Sequence, residues 1–250
     1  MKSSDKKIYF ASDFHLGVPD TESSLEREKK VVRWLDETMP HAEAYYLLGD
    51  LFDFWFEYRK VVPKGFVRLL GKLAEISDKG IPVHIFVGNH DLWMNGYLDR
   101  QIQAKVYHEP VEFEIKGKRF LLGHGDGVGP GDKGFKALKK VFTNSLAQRM
   151  FRLLHPDWGI AMADYFSSTS RKAQENEPIT IEPENERQIL YAREVLNDRH
   201  IDYFIFGHRH QPYQYNLNDN SSVINLGDWM SHYTFAEWDG KKLELKTYHG

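Results

Sequence analysis

Cysteine is absent from the 250 residues, which excludes thiolate catalysis, disulfides and zinc sites built on cysteine. No apolar run approaches the ~20 residues that a helix needs to span a bilayer. Neither sign of charge dominates: 33 Lys and Arg against 36 Asp and Glu leave a formal net charge of −3. No global attraction to nucleic acid follows, and no interleaved aromatic and basic residues suggest a nuclease groove, so nucleic acid is not an expected partner. Internal repeats and low-complexity segments are missing too. Met1 to Lys7 carry no apolar signal core, so a cytoplasmic location is the expectation. What remains is a chain with 41% hydrophobic and 14% aromatic residues, enough for a substantial core.

The early pattern alternates strand and helix. Lys7 to Ala11, Ala44 to Leu48 and Val83 to Val87 read as strands, with helices at Ser24 to Thr38 and Phe66 to Ser77. This order predicts parallel strands joined by crossover helices. Val111 to Ile115 and Arg119 to Leu122 read as a hairpin. Lys133 to Leu154 is strongly helical, and a second helix, capped by Asp157, is expected to run to about Lys172. Glu184 to Asp198 then reads as helix, Tyr203 to Phe206 as strand, and the tail as four short strands from Tyr213 to Tyr248. The expected architecture is an α/β fold, a two-sheet α/β/β/α sandwich, forming one domain over 1–250 with a helical insertion at about 127–176.

Five short motifs each follow a predicted strand: Asp13-Phe14-His15, Gly49-Asp50, Gly88-Asn89-His90-Asp91, Gly123-His124 and Gly207-His208-Arg209-His210. In open α/β sheets the working site lies beyond the C-terminal strand ends. One Asp-x-His or Gly-Asp pair is more often a solvated turn than a ligand. Five in such positions supply carboxylate, imidazole and amide donors suited to hard or borderline divalent metals, and paired metals ~3.5–4 Å apart call for a bridging ligand. Asp50 is the natural bridge, because its carboxylate has two oxygens and Gly49 lets the backbone turn beside it. If the strands continued, Asp13 with His15, and His208 with His210, would share a face. The other seven histidines, including His84 and His232, lack such a context.

This motif set resembles that of the calcineurin-like metallophosphoesterases. The resemblance implies one divalent cation on Asp13, His15, Asp50 and His210, and a second on Asp50, Asn89, His124 and His208. Mn2+ is the family expectation, while the donor set also admits Fe, Zn or Mg. It further implies in-line attack on phosphorus by a hydroxide that the metals generate. His90 would be the catalytic histidine, and Asp53 the carboxylate that orients it; an ordinary helix N-terminal acid is the plainer alternative for Asp53.

A narrower similarity is to the UDP-2,3-diacylglucosamine hydrolases of lipid A biosynthesis. It rests on Leu47 to Trp55, on Asp132 eight residues after His124, and on Leu226-Gly227-Asp228-Trp229. It implies cleavage of the pyrophosphate bond to UMP and 2,3-diacylglucosamine 1-phosphate, with the insertion as a lid over the acyl chains. Substrate contacts would come from Asn89, His90, Asp132 and His208; Arg171 and Lys172 are added for their basic character at the insertion's return. The better-known members carry Arg where this chain has His90. Between Asp132 and Lys172 stand eight Lys or Arg against three Asp. Phe135, Leu138, Phe142, Leu146, Met150 and Leu153 form a helical stripe, the pattern of a basic amphipathic segment meeting an anionic membrane surface. Peripheral contact at the cytoplasmic face of the inner membrane is one expectation; the plainer alternative is a stripe packed on the domain, with its lysines merely solvated. The rival readings are a general phosphodiesterase or phosphatase acting on nucleotides or phosphoproteins, and a non-catalytic scaffold of the same fold.

Overall fold

Strand Lys7–Ala11 (β1) sends Tyr9 and Ala11 to one face and Ile8 and Phe10 to the other, and all four are buried. In the computed structural model, which describes residues 6–131, 133–162 and 181–250, β1 is therefore a central strand covered on both sides. Its sheet has six strands. Ala42–Leu48 (β2), Val83–Phe86 (β3) and Lys105–Tyr107 (β4) run parallel to it on one side. Later in the chain, Thr234–Trp238 pairs antiparallel with β1, and Leu243–Thr247 with that strand in turn. The second sheet is built from Val111–Ile115 (β5), Lys118–Leu122 (β6), Tyr203–Phe206 (β7), Tyr213–Asn218 (β8) and Ser221–Asn225 (β9), in the order β5-β6-β7-β9-β8. Here β6, β7 and β9 are parallel neighbours. The expected parallel order and the β5–β6 hairpin are thus present.

The two sheets face each other across a shared core. Phe10, Tyr46, Leu48 and Phe86 from the first meet Phe120, Leu122, Ile205 and Ile224 from the second, with Phe10 stacked on Phe120 at 5.8 Å. Outside the first sheet lie Thr21–Thr38 (α1), Val67–Asp78 (α2) and Tyr97–Ile102 (α3). Outside the second lies Arg187–Asp198 (α6). Asp20 caps α1 by accepting from Ser23 N. No side chain of its own caps α2. Buried Glu28 of α1 does so instead, accepting from Arg68 N and Leu69 N and locking the two helices together, a cap contribution of about 1 kcal/mol.

The insertion departs from expectation. Lys133 to Leu154 is two helices, Lys133–Phe142 (α4) and Ser145–Phe151 (α5), because the Asn144 side chain accepts from Leu146 N and Ala147 N and starts a new helix. The next helix begins at Pro156, the favoured first position, and His155 rather than Asp157 meets its free amides. Its expected run to Lys172 and the return segment from Gln174 fall mostly outside the described residues. The apolar stripe splits as well. Phe142 and Phe151 pack against Trp93, and Trp93 Nε1 donates to Phe142 O at 2.7 Å. Leu138, Leu146, Met150 and Leu153 stay exposed.

Candidate metal centre

Every parallel strand that ends in a motif ends at one rim of the sandwich. The loops there are tied to one another by backbone hydrogen bonds: Asp13 N to Gly49 O, His15 N to Asp50 O, Trp229 N to Asp13 O and Gly207 N to His124 O. Neither Asp13–His15 nor His208–His210 continues a strand. All four residues, and Asp50, take a left-handed φ between 43° and 72°, so the pairs are presented from tight loops and not from a pleated face. A side chain at Gly88 would collide with the Asp50 carboxylate, and one at Gly207 with that of Asp13. Glycine therefore stands where backbone must approach the donors closely.

The donor atoms form two groups that share Asp50. Asp13, His15, Asp50 and His210 make one, and Asp50, His124 and His208 the other. Asn89 Oδ1 joins the second, 3.2 Å from His124 Nε2. Tautomers follow from the supports. His124 Nδ1 lies 2.8 Å from Leu48 O, which only accepts, so Nδ1 carries the hydrogen. The lone pair of Nε2 then faces Asp50 Oδ2 at 3.2 Å. Likewise His15 Nδ1 meets Asp53 Oδ1 at 3.2 Å, turning Nε2 toward His210 Nε2 at 3.0 Å, Asp50 Oδ2 at 3.6 Å and Asp13 Oδ1 at 3.7 Å. Lone pairs so gathered repel unless positive charge lies among them. A cation with donors at ~2.1 Å has donor–donor edges of ~3.0 to 3.4 Å in octahedral or tetrahedral coordination. The spacings of 3.0 and 3.2 Å fall in that range and those of 3.6 and 3.7 Å lie slightly beyond it, so the carboxylate and imidazole donors of both groups suit divalent cations. His208 Nδ1, buried and without a hydrogen-bond partner among the described residues, fits the same role.

Comparison with known proteins gives the family. Residues 6–212 match the profile of the calcineurin-like phosphoesterases. The chain belongs to that family. This phosphoesterase is 38% identical over 255 aligned residues to a UDP-2,3-diacylglucosamine hydrolase of Porphyromonas gingivalis, covering 96% of this chain and 97% of the relative. It is 25% identical to the protein of the same name from Nitrosococcus oceani, with 88% and 86% covered. Among solved structures, the E. coli phosphoesterase Yfce aligns over 96% of this chain and 92% of its own, at 16% identity and a TM-score of 0.47. Family and relatives together identify a metal-dependent hydrolase.

The electrostatics of the centre are those of carboxylates and imidazoles packed together out of water. Burial alone would lower the imidazoles of His15 and His124, yet the Asp13, Asp53 and Asp50 carboxylates push His15 up to about 10, and Asp50 foremost pushes His124 up to about 10. Asp13 and Asp50, despite burial, are held below the ordinary carboxylate range by those imidazoles. His208 goes the other way, lowered to about 4 by burial and the neighbouring His124.

His90 lies at the edge of this cluster. Its backbone N donates to Asp50 Oδ1 at 2.9 Å, and its ring Nδ1 sits 3.1 Å from Asp53 O and 3.6 Å from Asp53 Oδ1. Burial lowers its pKa, opposed by Asp50 and Asp53. The Asp53 carboxylate thus lies nearer His15 than His90, and it is the Asp53 backbone carbonyl that stands closest to the His90 ring. Asp132, Arg171 and Lys172 fall outside the described residues.

Two structural residues escaped the sequence reading. Asp91, buried, accepts from Gly88 N and Leu51 N at 2.7 and 2.8 Å and from Asp50 N at 3.3 Å, joining the loops after β2 and β3. Burial and the Asp50 charge push its pKa up to about 7. Arg27 of α1 donates to the carbonyls of Phe14, His15 and Val18. Its signal was present: Arg27 falls on the buried helical spacing of Ser24, Val31 and Leu35.

Proposed function

We propose that this phosphoesterase cleaves the pyrophosphate bond of UDP-2,3-diacylglucosamine, releasing UMP and 2,3-diacylglucosamine 1-phosphate. The observation that carries the reading is the Asp50 carboxylate shared by two converging sets of lone pairs, in a chain similar over nearly its full length to a hydrolase named for that substrate. Asp13, His15, Asp50 and His210 would hold one cation, and Asp50, Asn89, His124 and His208 the other, with Mn2+ the expected ion. When bound, the cations supply Lewis-acid polarisation of a phosphoryl oxygen and a water of lowered pKa.

The chain's own residues do the rest. Asn89 contributes a neutral oxygen and limits the negative charge facing a diphosphate. His90, its Nδ1–H held by the Asp53 carbonyl, would act through Nε2; an anionic phosphate beside it favours the imidazolium, which would donate its proton to the departing oxygen. The Asp53 carboxylate fixes the tautomer of His15 and supports His90 at longer range. Asp132, Arg171 and Lys172, together with Asn89, His90 and His208, are the proposed substrate contacts.

The 250 residues are read as one domain, with the insertion at about 127–176 as a lid for the acyl chains. Of the ten large apolar side chains exposed among the described residues, eight lie between Leu138 and Met162. Lys133, Lys136, Lys140, Arg149 and Arg152 lie on the same insertion, which supports peripheral contact with an anionic membrane face. The deciding experiment is product analysis by mass spectrometry on detergent-dispersed UDP-2,3-diacylglucosamine with added Mn2+. UMP and the acylated sugar 1-phosphate are expected, with little turnover of bis-p-nitrophenyl phosphate. The reverse preference would reject the substrate and favour a general phosphodiesterase.

A further inference from the structure

Gly207 is gripped through both of its backbone polar groups. Its N–H donates to His124 O at 2.9 Å. Two side-chain amides converge on its carbonyl: Gln188 Nε2 at 2.8 Å and Asn225 Nδ2 at 2.5 Å. Gln188 comes from the first turn of α6 and Asn225 from the end of β9, and they are 1% and 0% exposed. Their orientations are fixed by the rest of the network. Asn225 Oδ1 accepts from Gly227 N at 3.0 Å, so its NH2 must face Gly207. Gln188 Oε1 accepts from Asn225 Nδ2 at 2.9 Å and from Tyr213 OH at 3.0 Å, so its NH2 faces Gly207 as well. Gly125, the residue after His124, packs so closely on Gln188 that a Cβ there would strike the amide nitrogen. One glutamine therefore touches both loops that carry the imidazoles of the second donor group.

This grip is needed because the loop is held against its preference. His208 and His210 adopt φ of 72° and 54°, and the His208 amide donates to the Asp13 carboxylate. Such backbone persists only where its surroundings over-determine it. We propose that Gln188 is a positioning residue that sets the affinity of the second cation site, by clamping the Gly207 carbonyl so that His124 and His208 stay aimed at Asp50. The inference rests on the ligand reading given above. The first group draws a single ligand, His210, from the clamped loop, whereas the second draws His208 from it and His124 from the strand end hydrogen-bonded to it. Losing the clamp therefore weakens the second site more than the first. Tyr213 acts through Gln188, and Asn225 acts both directly on the Gly207 carbonyl and through Gln188. The ion pair of Arg209 Nε with buried Glu186, 3.2 Å long, adds a further tie from the residue that caps α6.

The test is titration of metal-free protein with Mn2+, followed by calorimetry and by electron paramagnetic resonance, in wild type and in Gln188→Met. Methionine keeps the length and volume of glutamine but supplies no amide. Wild type is expected to take up two ions and show an exchange-coupled spectrum. In Gln188→Met the second step weakens by about tenfold or more, while the first stays within about threefold. Two equivalents of metal then give largely uncoupled Mn2+, and excess Mn2+ restores kcat with KM unchanged. An unchanged second step, or equal weakening of both, overturns the proposal. If Gln188→Met does not fold, Tyr213→Phe removes only the hydroxyl on Gln188 Oε1 and weakens the second step by about threefold; no change there overturns it equally. A wild type that binds fewer than two ions brings down the ligand reading itself, a result distinct from any difference between variants.

Discussion

Nine non-glycine residues take a left-handed φ among the described residues, and five of them are Asp13, His15, Asp50, His208 and His210. Each such position costs on the order of 1–3 kcal/mol, so the donors are held by their surroundings and not by local preference. Asp91 and Arg27 supply part of that restraint, from side chains that lie in neither cation group. His90 differs from the donors in kind. Its Nδ1 is engaged by a backbone carbonyl, and the neighbouring His15 and Asp53 are already committed to each other. His90→Ala is therefore expected to retain two metal ions per chain while kcat falls by about 10²–10⁴-fold, measured by elemental analysis beside the product assay. Metal content falling with the activity would show His90 to be a ligand.

At the scale of elements, the strands and long helices were legible because their periods are unambiguous. Tyr9 and Phe10 of β1, or Val31 and Leu35 of α1, could face no other way. The six-residue α3 and three-residue β4 were not found, since neither is long enough to show a period. The convergence of Asp13, His15, Asp50, His124, His208 and His210 was foreseeable for another reason: each lies in a short polar motif directly after a strand, at the strand ends that the fold gathers on one rim. What supports the donors was not, because Gln188, Asn225 and Asp91 act through backbone groups that only the fold brings near. In the insertion, Asn144 broke one predicted helix into two and left much of the apolar stripe facing outward. Leu153 and Trp158 are 78% and 73% exposed. Glutamate at either position is expected to weaken sedimentation with vesicles of anionic lipid by about tenfold or more, since each buried apolar side chain contributes about 1.5–3 kcal/mol. Equal binding by wild type and variants would place the membrane contact elsewhere.

At the scale of the molecule, one source of acid sensitivity between neutral pH and pH 5 lies away from the donors. His84 of β3 stacks on Tyr46 at 4.3 Å, and its Nδ1 lies 2.9 Å from the Tyr107 hydroxyl. Burial first, then the Lys105 charge, pulls its pKa down to about 4. Between that value and the ordinary ~6.5 the unfolded chain binds the extra proton, so this contribution is complete above about 6.5 and drains away as pH falls toward 4. Allowing for its partial exposure, the loss from pH 7 to pH 5 is on the order of 1 kcal/mol. His84→Phe keeps the stacking but cannot titrate. Its melting temperature should drop less between those pH values than that of wild type; an identical drop would assign the sensitivity to other groups.

The seam between the sheets carries a mechanical consequence. Asp13, Asp50 and Asn89 ride on one layer, and His124, His208 and His210 on the other, so the gap that the proposed ions bridge is also the gap between layers. Phe10 stacked on Phe120 and their neighbours act as a gauge block: any slide of one layer over its partner is read out directly as a change in the distance between opposing donors. Repacking deep in that seam would therefore detune the chemistry at the rim without touching a single residue there.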